Sequence, residues 1–263
     1  MKIYLLLLFF SFGVLFSQSS NIESEYEVIY KVKIYPDTLS KQFSNEESTS
    51  LLINNNKSLF KSTQKAKSDS IALGIGKKQW SNVIDGKVIL DMRNVPSVKF
   101  KDEVYLENGK QIIYKELLKT KFSFPLEDPI QWKIESDTKM IGNYLCKKAT
   151  GKYKKRNYTA WFTESVPIPD GPYIFKGLPG LVLEVSDTND YLSFSLISLK
   201  KVIKPIVLMK DVFATSYLTY VKARKNFLDN PAGSLSNQIG IPIEKKNIER
   251  INNNARRYNN YFD

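Results

Sequence analysis

The residues able to do chemistry in this chain are few, and the absences among them are informative. There is no histidine. That removes Ser-His-Asp and Cys-His catalysis, His-containing zinc sites and histidine general bases. Any catalysis would have to use carboxylates, Ser/Lys, Tyr or Arg. Paired carboxylates can hydrolyse glycosides, and Asp102 and Asp170 are the first candidates for such a pair. Cys146 is the single cysteine, so there is no intramolecular disulfide, and a lone thiol is most often a small buried hydrophobe. No Gly-rich phosphate loop, metal-ligand cluster or catalytic triad is legible. No catalytic residue, metal site or cofactor is therefore assigned.

The chain is organised around Trp161 to Val185, WFTESVPIPDGPYIFKGLPGLVLEV. Pro167, Pro169, Pro172 and Pro179 fall there together with Gly171, Gly177 and Gly180. Proline fixes φ and removes a donor, while glycine allows positive φ or close backbone approach. Such a run is neither an ordinary helix nor a central strand. Ile168, Tyr173, Ile174, Phe175 and Leu178 sit among the breakers, an apolar load that a flexible linker does not carry. The expected structure is an ordered, partly buried loop between two strands. Gly177, Leu178, Pro179 and Gly180 are expected to form a tight turn with Leu178 tucked inward. Asp170, Tyr173 and Phe175, with Trp161 and Arg156 on the preceding hairpin, are the first choices for contacting a ligand.

GLPGLV at Gly177 to Val182 resembles the signature of the GLPGLI family, secreted proteins found mainly in Bacteroidota. The likeness extends through Tyr158 to Thr163, Pro167 to Tyr173 and Ile141 to Thr150, and departs at Lys154-Lys155-Arg156. The resemblance implies a compartment and an architecture. It brings no activity.

The remaining elements follow from periodicity. Tyr26, Val28, Tyr30, Val32 and Ile34 alternate as a half-buried strand. Asn54-Asn55-Asn56 and Asn108-Gly109 read as hairpin turns, and Ile84 to Val88 reads as another turn with a strand through Val88, Leu90 and Met92. Val98, Phe100, Val104 and Leu106 alternate, with Asp102 on their face. Either a bulge turns Asp102 outward, or it points inward and pairs with Lys or Arg. Tyr144 to Phe162 reads as a hairpin with Gly151 at its tip and a basic patch of Lys147, Lys148, Lys152, Lys154, Lys155 and Arg156. Its two faces need covers. The 165–180 loop is the first candidate cover and the C-terminal helices are the other candidate. From Lys201 the spacing turns helical: Phe213, Tyr217, Val221 and Leu228 form one helix, stopped at Asn230-Pro231. Ile248, Ile251, Ala255 and Tyr258 form the stripe of a second, opened by Pro242.

These elements predict a mainly β (α+β) fold. It is a curved antiparallel sheet of consecutive hairpins, half-barrel-like, with C-terminal helices. The expected division is a signal peptide over 1–18, a β domain over 19–200 and a basic C-terminal extension over 201–263. Met1-Lys2 followed by an apolar run to Phe16 has the form of a secretory leader. Fourteen residues of helix rise only ~21 Å against a ~30 Å hydrocarbon core. No later run is long enough for a transmembrane span.

The chain has 39 Lys+Arg against 27 Asp+Glu, a net +12, and residues 201–263 hold 11 basic and 5 acidic residues. That balance either suits anionic surfaces such as acidic polysaccharide, phosphorylated glycolipid or acidic protein, or, the preferred reading, marks no more than a basic secreted protein. Nucleic acid is not expected of an exported chain without a recognisable module.

The expectation for function is an exported, non-catalytic accessory protein of the cell envelope, periplasmic, outer-membrane-associated or extracellular. Its partner would be an envelope protein, a glycan or a lipid. One version is a lipophilic carrier whose half-barrel holds acyl chains. The alternative is a secreted hydrolase using carboxylates. Oligomeric state is not legible.

Overall fold

A computed structural model describes residues 22–65, 67–68, 71 and 95–261. The leader at 1–18 and the turn and strand expected over 84–92 lie outside the described residues. Twelve strands are described: β1 Tyr26–Ile34, β2 Asn45–Asn54, β3 Lys57–Ser62, β4 Glu103–Glu107, β5 Lys110–Leu117, β6 Thr120–Pro125, β7 Gln131–Ile141, β8 Tyr144–Tyr153, β9 Arg156–Thr163, β10 Leu181–Asp187, β11 Leu192–Lys201 and β12 Phe213–Ala214. Three C-terminal helices follow, α1 Tyr217–Asp229, α2 Pro231–Ile239 and α3 Lys245–Arg257.

All twelve strands form one sheet in the order β12-β6-β5-β4-β3-β2-β1-β11-β10-β9-β8-β7. Pairing is antiparallel throughout, except that β12 lies parallel to β6. Two meanders meet at the β1–β11 pair, where Val32 faces Phe194. The connection from β6 to β7 forces curvature. These strands are ten places apart in the order, which would be ~48 Å in a flat sheet. Only residues 126–130 join them, a span of at most ~20 Å. The sheet must therefore curl until its two ends approach. This is the curved antiparallel sheet of hairpins expected from the sequence.

Strand parity sorts the core. Val28, Tyr30, Leu51, Phe60, Val104 and Ile113 are buried on the concave face. Leu52, Leu59, Tyr105 and Tyr114 are buried on the convex face. A strap from Lys201 to Val212 crosses that convex face. Ile206, Leu208, Met209 and Val212 pack on it, and Ile206 N–H donates to the Ile22 carbonyl at 2.7 Å. The central strands are thus covered on both sides.

Several local expectations change. The β8–β9 turn is at Lys154-Lys155, with Lys154 at φ 51°, and Gly151 lies inside β8 opposite Tyr158. Glycine is needed there for a different reason. A Cβ at 151 would sit 2.6 Å from Ile130 Cγ2 and 2.9 Å from the Trp132 ring.

Phe213 is not helical but pairs with Phe122 at the sheet edge. Pro231 starts a helix as well as ending one. Asn230 Oδ1 caps α2 by accepting from Gly233 N–H at 3.0 Å, and proline at the first helical position loses no useful donor. The C-terminal region therefore has three helices where two were expected.

The basic patch on the β8–β9 hairpin is largely neutralised by acids from neighbouring elements. Lys147 meets Glu164, Lys148 meets Asp137, Lys154 meets Asp128 and Arg156 meets Asp187.

Candidate functional site

The proline-glycine loop is a plug. Tyr173, Ile174, Phe175 and Leu178 are 1–2 % exposed and fill the concavity of the sheet. Phe60, Phe100, Phe194 and Tyr173 meet edge to face with ring centroids 5.5–6.3 Å apart, and Phe175 lies 4.8 Å from Tyr158. Such contacts add to the area these rings bury. The loop's own side chains thus occupy space in the concavity where a half-barrel carrier would hold acyl chains.

Two glycines let the backbone pack this closely. At Gly171 a Cβ would lie 2.2 Å from the Phe175 carbonyl oxygen. At Gly180, which has φ 156°, it would lie 2.2 Å from the Thr163 carbonyl oxygen. The GLPG turn itself closes through Gly180 N–H donating to the Leu178 carbonyl at 2.8 Å, with Gly177 at φ 90°. Pro179 stands between them at the exposed side of the turn.

Two lysine–aspartate pairs hold the plug. Lys176 donates to Asp170, to the Gly171 carbonyl at 3.0 Å and to Ser58 Oγ at 3.3 Å. Burial pushes the Lys176 ammonium below its ordinary value, and the Asp170 carboxylate opposes that shift. The second pair is Lys115 with Asp102, whose Oδ2 also accepts from the Tyr173 hydroxyl at 3.2 Å. Burial opposes charge on Lys115 as well. There Asp102, with Tyr173 and Tyr220 beside it, outweighs burial and raises the ammonium well above its usual range. Asp102 is thus turned inward and paired with a lysine, and β4 begins only after it, at Glu103.

The five residues expected at a ligand do not come together. Asp170, Tyr173 and Phe175 are interior, at 3, 2 and 1 % exposure. Arg156 and Trp161 lie on opposite faces of β9 by parity. Arg156 approaches Asp187 at 3.9 Å, and Trp161 carries the Lys139 ammonium 4.5 Å above its ring. Cys146 is fully buried, and burial raises its thiol.

A cavity of about 520 Å³ opens instead beside the second ion pair. Its floor is Lys115, Asp102 and Phe100, and α1 contributes Tyr220, Arg224 and Phe227. The C-terminal segment contributes Ala255, Tyr258, Asn260 and Tyr261. Tyr220 is anchored on the sheet, 5.6 Å from Phe122 and 5.3 Å from Phe124 between ring centroids. The Arg224 guanidinium lies 4.0 Å from the Tyr261 ring centroid and 5.6 Å from that of Tyr220. Asp170 does not line this cavity, so the two candidate carboxylates are not brought to one site.

The tail that forms one wall is fastened down. Asn259 and Asn260 backbone N–H groups both donate to the Pro36 carbonyl, at 3.1 and 3.0 Å. Asn259 Oδ1 accepts from the Thr38 backbone N–H at 2.8 Å, and its Nδ2 donates to Asp37. The sequence reading missed this tail. Its signal was YNNY at Tyr258 to Tyr261, a density of rings and amides unlike a frayed terminus. Among the described residues no cluster of His, Cys, Asp and Glu could hold a metal.

By fold this is an open, curved antiparallel β-sheet protein, with its concavity plugged by its own loop and one end walled by helices. Residues 152–184, which include the GLPGLV motif, match a family model described as "Protein of unknown function (Porph_ging)". No curated protein matches the chain. Among solved structures it is similar to PNGF-II in the P21 space group, at 18 % identity and a TM-score of 0.49, and to PNGF-II in the C2 space group, at 18 % and 0.47. Each alignment covers 76 % of this chain and 32 % of the other, so this chain spans about a third of the length of those structures. At that similarity the likeness says nothing about function.

Proposed function

We propose that this is an exported, non-catalytic ligand-binding protein of the cell envelope, taking its ligand in the cavity between β5, α1 and the C-terminal segment. The observation that carries this reading is the cavity itself. Its volume is within the ~300–1,000 Å³ range of small-molecule sites. Its walls include five aromatic side chains and its charged floor, Lys115 with Asp102, is already paired, a combination suited to holding a molecule more than to transforming one. Export rests on the apolar stretch that follows Lys2. No described helix is long and apolar enough to cross a membrane, which leaves spanning by strands unaddressed.

The test is a fragment screen by ligand-observed NMR on the full chain and on Ala255→Trp, which places an indole in the cavity. Hits lost in Ala255→Trp at unchanged melting temperature support the reading. Hits that survive the filled cavity, or none at all, overturn it. Turnover of any screened ester, glycan or peptide that is lost in Asp102→Asn would replace it with the hydrolase.

A further inference from the structure

We infer that the ligand is an anionic oligosaccharide, bound across this cavity and the one beside it. The inference rests on the binding reading above and adds the chemical class. Its first support is Asn260, only 8 % exposed, which lines the cavity. Its Nδ2 donates to two backbone carbonyls, Tyr35 at 2.6 Å and Tyr191 at 3.2 Å. Two acceptors on that side fix the amide orientation, because the flipped amide would set oxygen against oxygen. Oδ1 is therefore an acceptor, and among the described residues it has no hydrogen-bond partner. A buried acceptor left unmatched is costly, and a ligand donor that reached Oδ1 from the cavity would relieve that cost. A hydroxyl supplies one. An acyl chain does not, nor does an ionised carboxylate alone.

The second support is the wall. Phe227, Tyr258 and Tyr261 are only partly buried or exposed along it, and the C–H face of a sugar packs on a ring by dispersion while its hydroxyls stay free for polar partners. The third is charge. Lys99 and Lys101 are exposed at the rim on either side of buried Phe100, and neither is ion-paired among the described residues. Two such ammonium groups favour an acidic ligand. The fourth is length. A second cavity of about 490 Å³ shares Pro36, Asn45 and Tyr258 with the first and adds Phe43, Gln42 and Arg257. Together they accommodate more than one ring.

An acidic peptide fits less well. Peptides recurrently add a strand to a free sheet edge. Neither cavity borders β7 or β12, the two edge strands, and β5 is paired on both sides.

The experiment is binding of the full chain to an array of acidic glycans (uronic, sulfated, phosphorylated and sialylated) with uncharged counterparts. Titration calorimetry then compares trigalacturonate, or the strongest hit, with its methyl-esterified or uncharged form. Asn260→Asp loses both donations that fasten the tail and is read only as a folding variant. The informative variants are Lys99→Ala/Lys101→Ala and Tyr258→Ala, all at exposed positions. The expected result is binding confined to acidic glycans, weakened about tenfold or more by the double lysine change, while Tyr258→Ala weakens binding by a ring-stacking share that salt does not screen.

Equal binding of charged and uncharged forms overturns the anionic assignment. Preference for an acidic peptide or a lipid overturns the saccharide. A silent array combined with fragment hits lost in Ala255→Trp refutes this inference and leaves the binding reading standing. Silence in both assays refutes both.

Discussion

Asp170 and Lys176 form an ion pair inside the protein, six residues apart in the same loop and 3 and 5 % exposed. The pair clasps the loop to itself, and through Ser58 it reaches β3. Removing one member leaves the other charge buried, which costs ~3–5 kcal/mol. Lys176→Met should therefore lower urea stability by about that amount. Asp170→Leu/Lys176→Met together should cost less than Lys176→Met alone. The exposed pair Lys147–Glu164 is the control, at ~0–1 kcal/mol on Lys147→Ala. A double change as costly as the sum of its singles would show that the two side chains act independently.

Gly180→Ala should be among the most damaging small substitutions in the chain. Its positive φ alone costs on the order of 1 kcal/mol, and the added methyl meets backbone 2.2 Å away that no side-chain rotation can move. Gly142→Ala is the comparison, with φ 55° and nothing within 4 Å. It should show only the backbone term. Leu178→Ala, at a 1 % exposed site, should cost ~2–5 kcal/mol. Thermal melts of the three variants rank them. If Gly180→Ala and Leu178→Ala melt like the parent, the GLPG turn is a surface feature free for recognition.

Alkaline pH should unfold the protein cooperatively. Burial raises the phenols of Tyr30, Tyr158 and Tyr173 above their ordinary value of 10.0. The sign follows from linkage: a raised folded-state pKa contributes stability that is fully present below the unfolded value and is lost as pH rises toward the folded one. Lys115, raised above 10.5, acts in the same direction. Stability should therefore fall from pH ~10 upward. Absorbance at 295 nm should show these three phenols ionising only together with loss of the far-ultraviolet signal. Smooth ionisation of all tyrosines in the folded state would contradict their burial.

Tyr30→Phe isolates one hydrogen bond across the sheet. Its hydroxyl donates to the Val182 carbonyl at 2.7 Å, tying β1 to the strand that follows GLPG. Deleting the donor leaves a buried carbonyl short of a partner and should cost ~1–3 kcal/mol. Denaturant titration gives the value, and a loss below ~0.5 kcal/mol would show that the carbonyl finds another donor.

Much of the fold could be read from local pattern. Asn108-Gly109 makes the two-residue turn expected of it, with both residues at positive φ and Glu107 paired to Lys110. Leu178 is buried in the turn where the flanking glycines placed it. What failed was whatever depends on distant partners. Gly151 looks like a turn residue, but its need for glycine comes from Trp132 on the neighbouring strand β7 and from Ile130 just before it. Asp170, Tyr173 and Phe175 looked available because they share a loop with prolines. The loop turns inward, and its polar groups find Lys176 and Asp102 there. The cavity joins residues near 36, 100, 115, 220 and 260, a grouping no single stretch displays.

The meeting of β1 with β11 has a consequence for how the chain matures. β1 leaves the ribosome well before one of its two neighbours, β11, which comes from the far side of the sheet's second meander. Until β11 arrives, β1 offers an unsatisfied edge beside an apolar face, the kind of surface that pairs with the wrong chain. Partial lengths of this protein are therefore expected to aggregate, since non-local strand pairing of this kind forms slowly. Truncation before Leu192 should consequently yield insoluble product, with no smaller stable core left behind.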